Sequence, residues 1–188
     1  ISLFSENKYL AYRDAIIFIR ILLIPIFIYF WILIDENNIK KLIFVIFVSV
    51  IFVCLDSLYQ FSNYDSINGF GKDIFGYVPD FAKYNRLTGP FRDLVPGSYT
   101  AKFSLIGLAY IFLFIKNNNF RNISSIIYLT LVGIVIYVSG ERMSLAPFLL
   151  GVCLLVIFFK TKRLMFFVSL IVIIISCILI NKIHPSYN

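Results

Sequence analysis

The stretch LMFFVSLIVIIISCILI, Leu164 to Ile180, runs for seventeen residues without a charged side chain. A helix that crosses the hydrocarbon core of a bilayer needs roughly 20 mostly apolar residues, within a range of about 17 to 25. A surface helix of a soluble protein would carry its apolar residues on one stripe. Here every face is apolar, so the whole circumference needs an apolar solvent. In lipid the backbone donors and acceptors must be satisfied within the segment, which makes helix the default conformation.

Similar runs extend back along the chain: Leu145 to Phe159, Ile123 to Ser139, Tyr99 to Ile115, Leu42 to Leu55 and Ala15 to Ile34. Lys40 and Lys41 flank the second span, where their heads can snorkel to the headgroups. Arg20 and Pro25 interrupt the first, and Pro25 is expected to kink it. Pro147 falls early in the fifth, where proline is tolerated. The composition agrees: 60% of the 188 residues are hydrophobic, 14% are charged and the mean hydropathy is +0.89. A soluble domain carries about a quarter charged residues. The expected fold is therefore all-α: a polytopic integral membrane protein of about six helices, one transmembrane domain over 1–188. The chain opens on Ile1, ends on Asn188 and shows no signal peptide, so a piece of a longer reading frame is expected.

The net charge is +7, and the cations sit in short clusters between the apolar runs. That pattern sets topology. A basic nucleic-acid module with interleaved aromatics is missing, so nucleic acid is not an expected partner. Lys40, Lys41, Lys116, Arg121, Lys160, Lys162 and Arg163 fall in loops on one side, against Lys8, Arg13, Arg142 and Lys182 in short segments on the other. The richer side is expected in the cytoplasm. Both chain ends then lie outside, which implies an odd number of spans upstream. The three cysteines (Cys54, Cys153, Cys177) lie in apolar runs without metal or redox spacing and read as small apolar packing residues. No metal or cofactor is expected, since the lone histidine and scattered carboxylates do not form a ligand set.

This orientation puts one long loop, about 59–98, outside the cytoplasm. It holds Gly69, Gly71, Gly76, Gly89 and Gly97, three prolines and nine aromatics. Loops this long are usually functional or disordered, and the turn residues with aromatics favour a shaped loop lying on the membrane. The aromatics read as interfacial anchors for the most part, with stacking on sugar rings as the alternative. Two polar stretches share this side: Asn85-Arg86-Leu87-Thr88-Gly89-Pro90-Phe91-Arg92-Asp93, leading through Pro96-Gly97-Ser98-Tyr99, and Ser139-Gly140-Glu141-Arg142. Arg142 reads either as an interfacial anchor or as a contact for phosphate, whose oxygens suit the guanidinium fork. Its tight turn with Gly140 and Glu141, on the cation-poor side, favours the second. Arg86 and Arg92 would add charge there, or pair with Asp80 and Asp93. Arg20 and Asp56 are further candidates, with Asp56 open to pairing with any of these arginines. His184 has the pKa range of a general base but an unremarkable position.

At these two stretches the chain resembles the O-antigen ligase and polymerase family of bacterial envelope enzymes. Arg86-Leu87-Thr88-Gly89-Pro90-Phe91 followed by Pro96-Gly97-Ser98-Tyr99 is similar to the family's extracytoplasmic arginine–glycine–phenylalanine segment entering a helix. Ser139-Gly140-Glu141-Arg142 is similar to its Ser/Thr-Gly-x-Arg turn, and the resemblance covers roughly 56–159. It implies a multi-pass glycosyltransferase of the bacterial cytoplasmic (inner) membrane, working in cell-envelope polysaccharide or lipopolysaccharide biosynthesis. The family moves polysaccharide from a polyprenyl diphosphate to a lipid or saccharide acceptor without metal. By carry-over, Arg142 and Arg86 contact the diphosphate as the catalytic pair, and Arg92, Glu141 and Gly89 help to bind substrate. Family members carry a second large loop with a histidine that activates the acceptor. His184 does not match it, so the piece by itself is expected to be inactive. The rival expectation is a transporter or flippase of lipid-linked precursors, whose arginines would also meet phosphate.

Overall fold

The structure is a computed structural model and describes residues 23–32, 34–64, 69–78, 86–91 and 96–183. The chain divides into two compact units, Ile1–Leu42 and Ile43–Asn188. In the first, residues 23–27 are helical and pass into a π-helical turn, Ile28–Ile32. The wider turn follows Pro25, which has no N–H for an i→i−4 bond, and proline is a common cause of such local rearrangement. Of the expected first span, residues 15–22 and Leu33, with Arg20, lie outside the described residues.

Five long helices follow: α1 (Glu36–Ser62), α2 (Pro96–Phe114), α3 (Asn118–Val138), α4 (Arg142–Phe158) and α5 (Arg163–Ile183). There is no strand among the described residues. The helices α1, α2, α3 and the segment Lys160–Lys182 are each long and apolar enough to cross a membrane, and Met143–Phe158 is a shorter apolar helix. The chain is an all-α polytopic membrane protein.

The helix limits differ from those expected in three places, each for a local reason. α1 starts at Glu36, six residues before Leu42, because Asp35 caps it: its Oδ1 accepts from Asn37 N–H at 3.0 Å. At the other end α1 continues through Asp56-Ser57-Leu58-Tyr59-Gln60-Phe61-Ser62, so the loop begins at 63 rather than 59. α4 begins at Arg142, not Leu145, which puts Pro147 inside the helix beyond its first turn. There the proline leaves the Met143 carbonyl without its i+4 donor.

In the second unit α3 holds the centre. Leu129, Val132, Val135 and Ile136 are fully buried, and α2, α4 and α5 all pack against the helix. Its start is capped by Asn117, whose Oδ1 accepts from Asn119 N–H at 3.0 Å. Phe47 of α1 lies between Tyr110 of α2 and Tyr128 of α3, stacked at 4.6 and 5.5 Å. The Tyr128 hydroxyl donates to the Ser104 carbonyl at 2.9 Å. Buried hydroxyls of Ser57, Thr100, Ser125 and Ser169 donate to carbonyls one turn back in their own helices. Such local bonds let short polar side chains sit among apolar neighbours. Cys54 is fully buried in this core, while Cys153 is exposed on the bundle surface.

A second, smaller core joins the loop to the bundle. Phe70 and Leu87 from the loop bury against Val138 at the end of α3, with Phe61, Tyr64, Tyr137 and Ile180 around them. Phe70 is therefore neither an interfacial anchor nor a surface for sugar; it packs on Phe61 and Tyr64. Phe91 likewise meets Tyr99, at 5.3 Å between ring centres. Phe81 and Tyr84 lie outside the described residues.

Candidate functional site

The last two turns of α1 position the loop. Asp56 and Ser57 precede Gln60 by four and three residues, so each shares a helix face with it, and all three are buried. Gln60 has no exposed surface, and both the oxygen and the nitrogen of its amide are hydrogen-bonded. Oε1 accepts from the backbone N–H of both Thr88 and Gly89 at 3.0 Å, and Nε2 donates to Thr88 Oγ1 at 3.1 Å. One side chain thus holds the turn Leu87-Thr88-Gly89 through three bonds. Leu87 is driven into the small core beside it, which leaves the preceding Arg86 exposed at the bundle end.

The partner stretch is a tight turn between α3 and α4. Ser139 N–H bonds to the Val135 carbonyl, and Gly140 N–H to that of Tyr137. Gly140 then takes φ +73°, the left-handed conformation in which helices commonly end on glycine. Glu141 precedes the first residue of α4 and accepts from Ser144 Oγ at 2.6 Å. A carboxylate there also suits the positive end of the helix dipole.

Gly97 lets α2 close on this turn. A Cβ on Gly97 would collide with Ser139 Oγ and lie 3.5 Å from Glu141 Cβ. Only a residue without a side chain allows so close an approach. Through this contact and the Gln60 clamp, the two polar stretches meet. The Arg86 Cγ lies 4.0 Å from where a Cβ on Gly140 would stand. Arg86, Ser98, Gly140, Glu141, Met143 and Ser144 line an open cleft of about 540 Å³.

The expected site residues are distributed as follows. Arg86 and Glu141 line the cleft together. Arg142 opens α4 next to it, and its side chain lies outside what the structure describes. Gly89 is buried and does not line the cleft; a Cβ there would meet Ser57 Oγ and Pro96. Arg92, Asp80, Asp93 and His184 lie outside the described residues. Asp56 takes up a backbone donor, Ile74 N–H at 2.7 Å. Ser98, from the stretch Pro96-Gly97-Ser98-Tyr99, also lines the cleft, whereas Gln60 and Ser144 escaped the sequence reading. For Gln60 a signal existed: polar residues at helical spacing, closing an otherwise apolar run, mark a face that needs partners.

Chemically, the cleft offers a guanidinium, a carboxylate, hydroxyls and backbone at the end of an apolar bundle. That combination suits an anionic and hydroxylated ligand that approaches from the membrane surface. No family model, no curated protein and no solved structure matches the chain, so the geometry of the cleft carries its functional reading.

Proposed function

We propose that this chain belongs to a membrane glycosyltransferase that moves saccharide from a polyprenyl diphosphate to an acceptor hydroxyl, at the cleft between the 86–91 loop and the α3–α4 turn. One observation carries the proposal. Arg86 and the Gly140-Glu141 pair of the α3–α4 turn, more than fifty positions apart, open onto a single cleft at one end of a membrane bundle. The resemblance to O-antigen ligases and polymerases rests on those same two stretches.

In the proposed reaction the acceptor oxygen bonds to the anomeric carbon while that carbon's bond to the diphosphate oxygen breaks. The hydroxyl proton passes to a base, and negative charge grows on the departing diphosphate. Cationic groups at the cleft act on that growth of charge, and stabilisation that strengthens toward the transition state raises the rate. Arg86 is the described residue suited to this role, and Arg142 is its proposed partner.

Full-length protein in vesicles, supplied with a diphosphate-linked saccharide and an acceptor, tests the proposal. Arg86→Ala and Arg142→Ala should each lower transfer on the order of 10²–10³-fold, with membrane insertion intact. Unchanged transfer in both variants refutes the assignment. Lost translocation of the lipid-linked saccharide with transfer intact would establish the transporter reading instead.

A further inference from the structure

Residues 69–78 fold back along α1, with Phe70 beside Phe61, Ile74 at Asp56 and Phe75 at Phe52. The segment closes on itself: Asp73 N–H donates to the Tyr77 carbonyl at 2.9 Å and Gly76 N–H to the Asp73 carbonyl at 3.0 Å. Tyr77 N–H donates to Asp73 Oδ1 at 2.6 Å. The Ile74 N–H, at the tip, goes to Asp56 Oδ1 on α1. The Phe75 ring meets Phe52 of α1 edge-on, 6.1 Å between centres. Yet Phe75 remains 71% exposed, with Ile74 and Val78 exposed beside it.

The depth of Phe52 follows from helix geometry. α1 has 27 residues, which at about 1.5 Å each span roughly 40 Å. The hydrocarbon core is about 30 Å thick, so the helix overhangs it by about 10 Å in total. Phe52 lies about 15 Å before the end at Ser62. Even if all the overhang is on the loop side, Phe52 is still about 5 Å inside the core. Phe44, Val45, Val48, Phe52 and Leu55 are exposed on the same bundle surface, a strip that faces lipid. Phe75 continues that strip.

We infer that Ile74, Phe75 and Val78 form a tip inserted among the lipid acyl chains, a membrane-binding surface within the loop. Non-helical backbone at this depth requires protein partners for its polar groups. The turn's own bonds partner the N–H groups of Asp73, Gly76 and Tyr77, and Asp56, which has no exposed surface, partners that of Ile74. Lys72, exposed next to the tip, can extend its ammonium to the headgroups. The inference is independent of the transferase proposal, since it concerns where the loop sits rather than what the cleft does.

Fluorescence of the full chain in vesicles tests it. Trp31, the single tryptophan, is replaced by Phe, and Phe75→Trp is introduced; Val78→Trp serves as a second reporter in case the first disturbs the turn. Lipids brominated on their acyl chains should quench either reporter at least twofold, and aqueous iodide should have little effect. Adding Asp56→Ala should release the tip and raise iodide quenching severalfold, whereas Asp56→Asn, which keeps an acceptor, should not. Strong iodide quenching without quenching by brominated lipid overturns the inference. So does protection from both quenchers, which would mean that protein covers the tip.

Discussion

At the residue scale the site depends on Gln60 as much as on the charged groups. Its three bonds to Thr88 and Gly89 are made in a buried setting, where an unpaired backbone donor costs about 1–3 kcal/mol. Gln60→Leu strands two such donors, so we expect a loss of roughly 2–5 kcal/mol and faster proteolysis near residue 86. Thermal unfolding in detergent and limited proteolysis measure both. Ser62→Ala, two residues on, removes one exposed bond to the Tyr59 carbonyl and should change stability by no more than about 0.5 kcal/mol. Equal losses in the two variants would dismiss the clamp. The importance of Gln60 was only partly legible beforehand. Its place on a polar face could be read from spacing, but partners 28 positions away could not.

At the scale of elements, the meeting of α2 with the α3–α4 turn determines whether there is a cleft. Gly97 stands against Ser139, whose hydroxyl is already committed to the Ile136 carbonyl at 2.7 Å. Gly97→Ala should therefore force the helix ends apart, at about 1–3 kcal/mol for overpacking. Ser139→Gly removes the obstructing side chain, so the double variant should recover part of that loss. Residues in direct contact are expected to show non-additivity of this kind. A double-mutant cycle of melting temperatures checks it, and strictly additive effects would count against the contact. The sequence marked both stretches as polar islands on one side of the membrane. That they touch depended on helix limits: α1 had to run to Ser62 and α4 to start at Arg142.

At the scale of the whole molecule, orientation determines which compartment the cleft faces. The cation-rich loops should be cytoplasmic. With the native cysteines replaced by alanine, Ser62→Cys should react with an impermeant maleimide on intact cells, and Asn119→Cys only after permeabilisation. The reverse pattern would place the cleft in the cytoplasm and remove the basis for transfer outside it. The helical class and the apolar spans of the described residues were available from the sequence, which also supplies the expected sidedness. Each is a sum of local terms: transfer of apolar side chains from water, accumulated over about 20 residues, and positive charges counted in short loops. The cleft, the Gln60 clamp and the folded-back 69–78 tip were decided only by tertiary structure. The clamp and the tip rest on polar groups that find partners far along the chain, Gln60 with Thr88 and Asp56 with Ile74, and the cleft on the close approach of Gly97 to Ser139. Inside an apolar bundle an unpaired polar group is costly, so those pairings are enforced strongly, but three-dimensional proximity rather than spacing selects which groups meet.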